Sequence, residues 1–329
     1  MKNPLIIGMV FLMCSFAFSQ EVAQRRTTKL MGSRFDITIV AQDKATADRY
    51  IDKAVEEISR IEKLISSWNL NSQTSIINKN AGILPVKIDQ ELFDLIERCI
   101  TVSKITDGAF DITYASMDKI WKYDGSMTKM PSKEAIENSI AKIGYQLIVL
   151  DKKAQTVFLK SEGMKIGFGA VGKGYAADKV RSLLKSEGVS AGIINASGDL
   201  TTWGKQPDGT DWMVGITNPL NKNNIFSWFP VVNAAVATSG NYEKFITLNG
   251  VKYSHIIDPR TGYPSTGIQS VTIFAHSAEL CDALATSVFI TGTETGIHMI
   301  DQIKGVECII IDDKNQIHTS QNIELNKTQ

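Results

Sequence analysis

Residues 167 to 178 read Gly167-Phe168-Gly169-Ala170-Val171-Gly172-Lys173-Gly174-Tyr175-Ala176-Ala177-Asp178, entered by a strand-like stretch and left by a helical one. Glycines at 167, 169, 172 and 174 let the backbone come close to a neighbour. A helix N-terminus beside them would present free N–H groups to an anion such as a phosphate. The run is no P-loop, which needs Ser or Thr after the lysine, because Gly174 follows Lys173. Gly167-x-Gly169-x-x-Gly172 matches the bare dinucleotide fingerprint. However, no βαβ unit with an acid about twenty residues further on frames it. Two familiar glycine-rich nucleotide folds are thereby disfavoured. On the glycines alone, a tight structural turn and a phosphate site stay equally open.

The hydrophobic pattern around this run is mixed. Phe35, Ile37 and Ile39 alternate with Asp36 and Thr38, which predicts a half-buried strand over Met31–Val40. Ile51, Val55, Ile58, Ile61 and Ile65 recur at three- and four-residue steps, which predicts a long amphipathic helix from about Lys44 to Ser66. Trp68 to Gly82 is polar and Asn-rich and reads as a loop or lid. Further helices are expected at about Gln90–Lys104, Ser132–Ile143, Gly174–Ser186, Glu279–Ile290 and His298–Ile303. Strands are expected near residues 145–150, 156–159, 192–195, 212–216, 231–238, 253–257, 270–274 and 307–311, before a fraying tail from Asn322. Short strands interleaved with helices, without βαβ rhythm, repeat or Pro/Ser-rich linker, indicate α+β in one continuous domain.

The amino end stands apart from that domain. Met1-Lys2-Asn3 is a short positive start, Leu5 to Met13 an apolar stretch, and Ala17-Phe18-Ser19 places small residues where a signal peptidase cleaves. The apolar stretch is too short to span a bilayer. The expectation is a secretory signal over residues 1–19 and a mature domain over 20–329. Met13 is bulky where a lipoprotein signal has a small residue, which argues against a lipid anchor on Cys14. Lysine and arginine number 35 against 35 acids, and loss of Lys2 with the signal leaves a net charge of −1. That balance argues against a nucleic-acid partner. Cys99, Cys281 and Cys308 would remain, none with CxxC spacing. Cys99 on a helical stripe and Cys308 in a strand-like run read as buried small hydrophobes.

Three further features are candidates for chemistry. In Asp282-Ala283-Leu284-Ala285-Thr286 the carboxylate and the hydroxyl stand four apart, on one helix face, as hard oxygen donors suited to Mg²⁺. The plainer reading is an acid near a helix N-terminus and a threonine bonded back to its own helix. His255, in Ser254-His255-Ile256-Ile257-Asp258-Pro259-Arg260-Thr261-Gly262, is either a proton carrier or a hydrogen-bonded core histidine. Thr238-Ser239-Gly240-Asn241-Tyr242 and Asp107-Gly108-Ala109-Phe110-Asp111-Ile112-Thr113 are turn-rich segments at element ends, where sites tend to lie.

In chain order, these motifs together resemble the ApbE family of FAD:protein FMN transferases. They are Met31-Gly32-Ser33, Ser67-Trp68, Gly108 to Thr113, Gly169 to Asp178, Asn195-Ala196-Ser197-Gly198-Asp199, Ala237 to Gly240, His255 to Gly262 and Asp282 to Thr286. The resemblance implies a single large α+β domain of mixed, mostly antiparallel sheets with packed helices. It implies Mg²⁺-dependent transfer of the FMN half of FAD onto a Thr or Ser of an acceptor flavoprotein, with release of AMP. That acceptor would be a membrane redox-complex subunit or another exported protein. The location would be periplasmic, with possible association at the inner-membrane face.

By position, the resemblance assigns the metal to Ala170, Asp282 and Thr286, and FAD contacts to Met31, Trp68, Gly108, Ala109, Phe110, Lys173 and Ile257. His255 is the candidate general base, with Asp282 acting through the metal. An FAD pyrophosphatase using water as acceptor, and an exported flavin-binding protein without turnover, are the alternatives. One departure is Gly167, where many relatives have Asp. That contact would fall here to backbone or water, or nucleotide preference would loosen.

Overall fold

Met31 and Gly32 have backbone φ angles of 50° and 70°. Two positive values in succession suit the tight turn of a hairpin, here between Val22–Leu30 and Ser33–Ala41. From this hairpin an eight-stranded sheet grows in chain order through Ala191–Ala196, Asp199–Trp203, Ala235–Gly240, Ile268–Ala275, Glu307–Asp312 and Ile317–Thr319. Every neighbouring pair in it is antiparallel. The structure is a computed structural model that describes residues 21–218, 221–241 and 244–323. The expected export signal at 1–19 with Cys14, Tyr242, and residues 324–329 of the expected tail lie outside the described residues.

The described α-helices are α1 (Lys44–Ile65), α2 (Gln73–Lys79), α3 (Gln90–Ile105), α4 (Lys133–Ile140), α5 (Gly172–Ser186), α6 (Ala278–Thr291) and α7 (Thr293–Asp301). α1, α5 and α6 pack on the large sheet and form its main core with it. The periodic isoleucines of α1 are its buried face: Ile51, Ile58, Ile61 and Ile65 all lie in that core. α6 is apolar on nearly every side and is correspondingly buried from Ala278 to Phe289, with Ser277 capping its first turn. A smaller core of Trp121, Ile136, Ile246, Leu248 and Ile257 lies between α4 and the hairpin Phe245–Leu248/Val251–Ser254. The architecture is one α+β domain. No described helix is long and apolar enough to cross a membrane.

The structure corrects several expectations. Val22–Leu30 is a strand although VAQRRTTKL has no apolar alternation, because its pairing with Ser33–Ala41 is continuous over nine residues. Met31 belongs to the turn, not to the second strand. The polar 68–82 segment contains α2, which Ser72 caps and which buries only Thr74 and Ile77. Residues 145–147 are a 3-10 turn preceding the strand Ile148–Asp151. Asp199–Trp203, Asn221–Pro230 and Phe245–Leu248 are strands that periodicity did not indicate. Cys99, Cys281 and Cys308 are buried and form no disulfide. Burial raises the thiol of Cys308 to about 12 and drives the other two upward.

α5, which carries the glycine run, is anchored by Glu91 of α3. This carboxylate accepts bonds from Arg60 of α1 at 2.8 and 3.0 Å and from the Tyr175 hydroxyl at 2.6 Å, and pairs with Lys179 at 3.2 Å. Burial alone would raise its pKa, but Arg60, Tyr175 and Lys179 outweigh burial and hold it down at about 2. A carboxyl depressed on folding stabilises the native state fully above its ordinary value of 4.5 and loses that contribution as pH falls through 2. Glu91→Gln should therefore lower the urea midpoint at neutral pH, with the gap from wild type closing between pH 4.5 and about 2. A gap that stays constant through that window would contradict the assignment.

Candidate functional site

α5 and α6 meet where no side chain separates them. A Cβ on Gly174 would fall 2.1 Å from the carbonyl oxygen of Ala278, so only glycine allows this contact. The close approach puts the first turn of α5 beside Asp282, whose carboxylate accepts the Gly174 N–H at 3.3 Å. Asp178, one turn further along α5, accepts the Ser277 hydroxyl at 2.7 Å and the Glu279 N–H at 3.0 Å, fixing the start of α6. The glycine run thus builds a helix–helix junction. Its helix begins at Gly172, two residues earlier than periodicity suggests.

This junction forms the floor of a cavity of about 1150 Å³. Of the residues singled out from the sequence, Met31, Trp68, Ala109, Phe110, Ala170, Lys173, His255, Ile257, Asp282 and Thr286 all line it. Gly108 does not. With Asp107 it adopts positive φ at the end of α3, donates to the Ser103 carbonyl at 2.8 Å and orients the next two residues toward the cavity.

Charge is concentrated at the floor and just behind it. Asp199, 2% exposed, is ion-paired with Lys173, and Asp282 is 5% exposed. Burial raises the pKa of Asp199, with the charge of Asp282 adding and Lys173 opposing. Burial likewise raises that of Asp282, opposed by Lys173 and by the Gly174 N–H. The ammonium is thus paired with one buried carboxylate, and its charge acts on the other. The Thr286 hydroxyl lies 3.4 Å from that of Ser239, and both face the same cavity. Among the described residues no three His, Cys, Asp or Glu side chains group as a metal site. A cation at this floor would draw on hydroxyl and carbonyl oxygens besides carboxylate, an all-oxygen set that fits a hard divalent ion.

The walls come from two loops. Asp111 is buried and accepts the Thr113 N–H and hydroxyl and the Tyr145 N–H, at 2.8, 2.6 and 2.8 Å, holding the 109–113 segment in place. Arg260 pairs with Asp258 at 2.8 Å and reaches the Asp107 carbonyl at 3.5 Å, tying the loop after His255 to the end of α3. His255 Nδ1 lies 3.1 Å from the Lys244 carbonyl and its ring meets Tyr123 edge-on. A carbonyl only accepts, so in this contact Nδ1 is the donor. Trp68 stands at the rim, 81% exposed, with Lys119 Nζ 4.9 Å from its ring centroid. Gly167 donates to the Ile112 carbonyl at 2.9 Å, and a Cβ there would crowd Ala115 at 3.0 Å.

Sequence reasoning missed three contributors. Asp199 and Ser239 lay in segments noted only as turn-rich or as part of a motif. Glu62, on the polar side of α1, lines the cavity and accepts the Met31 N–H at 3.1 Å, and nothing in its local pattern distinguishes it from other helix-surface acids.

Residues 31–310 match the model of the ApbE family. An FAD:protein FMN transferase of Klebsiella pneumoniae (strain 342) is 30% identical over 284 residues, covering 86% of this chain and 87% of that one. One from Treponema pallidum is 28% identical, covering 83% and 81%. The crystal structure of the ApbE protein of Thermotoga maritima superposes with a TM-score of 0.82 at 29% identity, covering 91% of this chain and 97% of that one. The fold is also that of apo Pseudomonas stutzeri flavinyl transferase ApbE, with a TM-score of 0.80 at 24% identity, covering 92% and 95%.

Proposed function

The chain belongs to the ApbE family, and on that premise we propose that it transfers the FMN half of FAD to a Thr or Ser hydroxyl of an acceptor flavoprotein, releasing AMP. It is an enzyme, an FAD:protein FMN transferase. The observation that supports the finer reading most is the presence, in the lining of one cavity, of oxygen donors on α6 and a histidine on the 255–262 loop.

Asp282, Thr286 and the Ala170 carbonyl would hold Mg²⁺, with Ser239 beside Thr286. When bound, Mg²⁺ supplies charge neutralisation on the diphosphate. Lys173 adds a second positive charge to the same floor, and the helix N-terminus of α5 adds backbone N–H groups. Met31, Ala109, Phe110 and Ile257 give the cavity apolar surface for the flavin, and Trp68 gives a flat face at the rim. His255 Nε2 would take the proton from the acceptor hydroxyl as its oxygen bonds to the FMN phosphorus. The phosphorus–oxygen bond to AMP then breaks and AMP leaves with the electron pair. Such transfers depend on positioning and electrostatics more than on covalent enzyme chemistry. We place the enzyme outside the cytoplasm, on the pattern of residues 1–19, with an acceptor that is itself exported or belongs to a membrane redox complex.

The test is incubation of the protein with FAD, Mg²⁺ and a candidate acceptor. Covalent flavin fluorescence on the acceptor supports transfer. Free FMN and AMP would replace it with hydrolysis, and unchanged FAD would replace it with binding alone. In the same assay His255→Ala should lower kcat about 10²- to 10⁴-fold while FAD affinity changes little. A loss confined to affinity would make His255 a binding residue.

A further inference from the structure

Lys173 is ion-paired with one buried carboxylate, Asp199, and its chain neighbour is bonded to another, Asp282. It is the second residue of α5, Gly174 follows it, and the N–H of Gly174 is bonded to Asp282 at 3.3 Å. The backbone therefore delivers the lysine to the immediate neighbourhood of Asp282, and the charges of the two residues act on one another. The ammonium is nevertheless bonded to Asp199, at the start of the Asp199–Trp203 strand. Asp199 is 2% exposed. Its backbone is fixed by pairing with Ala196, and the side chain of Asn195 accepts the Gly198 N–H at 2.8 Å within the same turn. Two buried carboxylates thus lie near a lysine tethered at this point, and the sheet holds one of them in place.

We propose that Asp199 is a positioning residue that holds the Lys173 ammonium off Asp282, leaving that carboxylate available to a divalent cation. Its role runs through electrostatic competition. Without Asp199, Asp282 is the other buried carboxylate near the tethered ammonium, and an ion pair there would occupy the ground a cation needs. With Asp199, the ammonium stays on that carboxylate at the cavity lining and the Asp282 oxygens are left to the metal. This inference rests on the reading of Asp282 and Thr286 as cation ligands.

Mn²⁺ binding to the full-length protein without FAD, followed by electron paramagnetic resonance and calorimetry, separates the two ideas. Wild type should bind Mn²⁺, and failure to do so would remove the cation reading itself. Asp199→Asn should bind it about tenfold or more weakly, the loss usual when a residue behind a metal ligand is changed. Adding Lys173→Met to Asp199→Asn should restore Mn²⁺ affinity while leaving transfer impaired. A merely structural role for Asp199 would not be rescued by removing a second partner. Unaltered Mn²⁺ affinity in Asp199→Asn, or no rescue in the double variant, overturns the proposal. If Asp199→Asn alone does not fold, Lys173→Met and the double variant must bind Mn²⁺ equally. A further loss in the double would show that Asp199 acts on the metal by another route.

Discussion

Asp282→Ala should abolish metal-dependent transfer and leave the protein folded. The loss would be about 4 kcal/mol of transition-state stabilisation, roughly a thousandfold in rate, since the variant removes the charged donor of the proposed cation site. Stability should move the other way. A carboxyl whose pKa is raised on folding, as burial raises that of Asp282, binds its proton more tightly in the native than in the unfolded chain. At neutral pH its ionised form therefore detracts from stability, and replacing it with alanine should leave the metal-free melting temperature equal or higher. Added Mg²⁺ should raise the melting temperature of wild type, because a ligand bound only by the native state stabilises it, and should leave that of the variant unmoved. Calorimetry with and without Mg²⁺, run beside the transfer assay, reads both effects. Undiminished transfer by Asp282→Ala, or an Mg²⁺-induced rise in its melting temperature equal to that of wild type, would remove Asp282 from the metal site.

The Asp282/Thr286 pair was visible in the sequence because a helix converts a four-residue spacing into a shared face. α1 was visible for the same reason, its isoleucine stripe being both periodic and long. Elements held by pairing rather than by their own pattern were not. The strand Val22–Leu30 is set by its hairpin partner, with Arg26 bonded to Asp48 and Asp52 of α1, and its residues carry no alternating apolar signal. α2 rests on the Ser72 cap and two buried side chains, too little apolar surface to register against an Asn-rich background.

In the site, His255 and Ile257 were identifiable as a motif. Their approach to the 106–113 segment depends on Arg260 bridging Asp258 and the Asp107 carbonyl, a contact spanning 153 residues of chain. The Lys173–Asp199 pair was hidden likewise. Each residue sits in an identifiable motif, but a helix start and a strand start become neighbours only when the sheet assembles.

Gly174→Ala should be the most damaging single-methyl substitution in the glycine run. The added Cβ would meet the Ala278 carbonyl oxygen at 2.1 Å, its carbon at 2.5 Å and the Glu279 nitrogen at 2.8 Å, all backbone atoms that no rotamer change can move. Relief requires α6 to withdraw from α5, and that withdrawal breaks the Gly174 N–H bond to Asp282 and shifts Asp282 and Thr286 together. Overpacking a rigid junction typically costs about 1–3 kcal/mol, and the backbone contacts here place the expected loss at about 3 kcal/mol.

Gly169→Ala is the control. Nothing lies within 4 Å of a Cβ there, so its urea midpoint should stay close to that of wild type. Gly172→Ala should fall between the two, because its nearest contact is the terminal Cδ1 of Ile65 at 3.0 Å, the movable end of a side chain. Chemical denaturation of the three variants orders them directly, and amide exchange across Ala278–Thr291 reads the displacement of α6 in the worst of them. If Gly174→Ala unfolds at the same urea concentration as Gly169→Ala, the helix junction is not what the glycine at 174 is for.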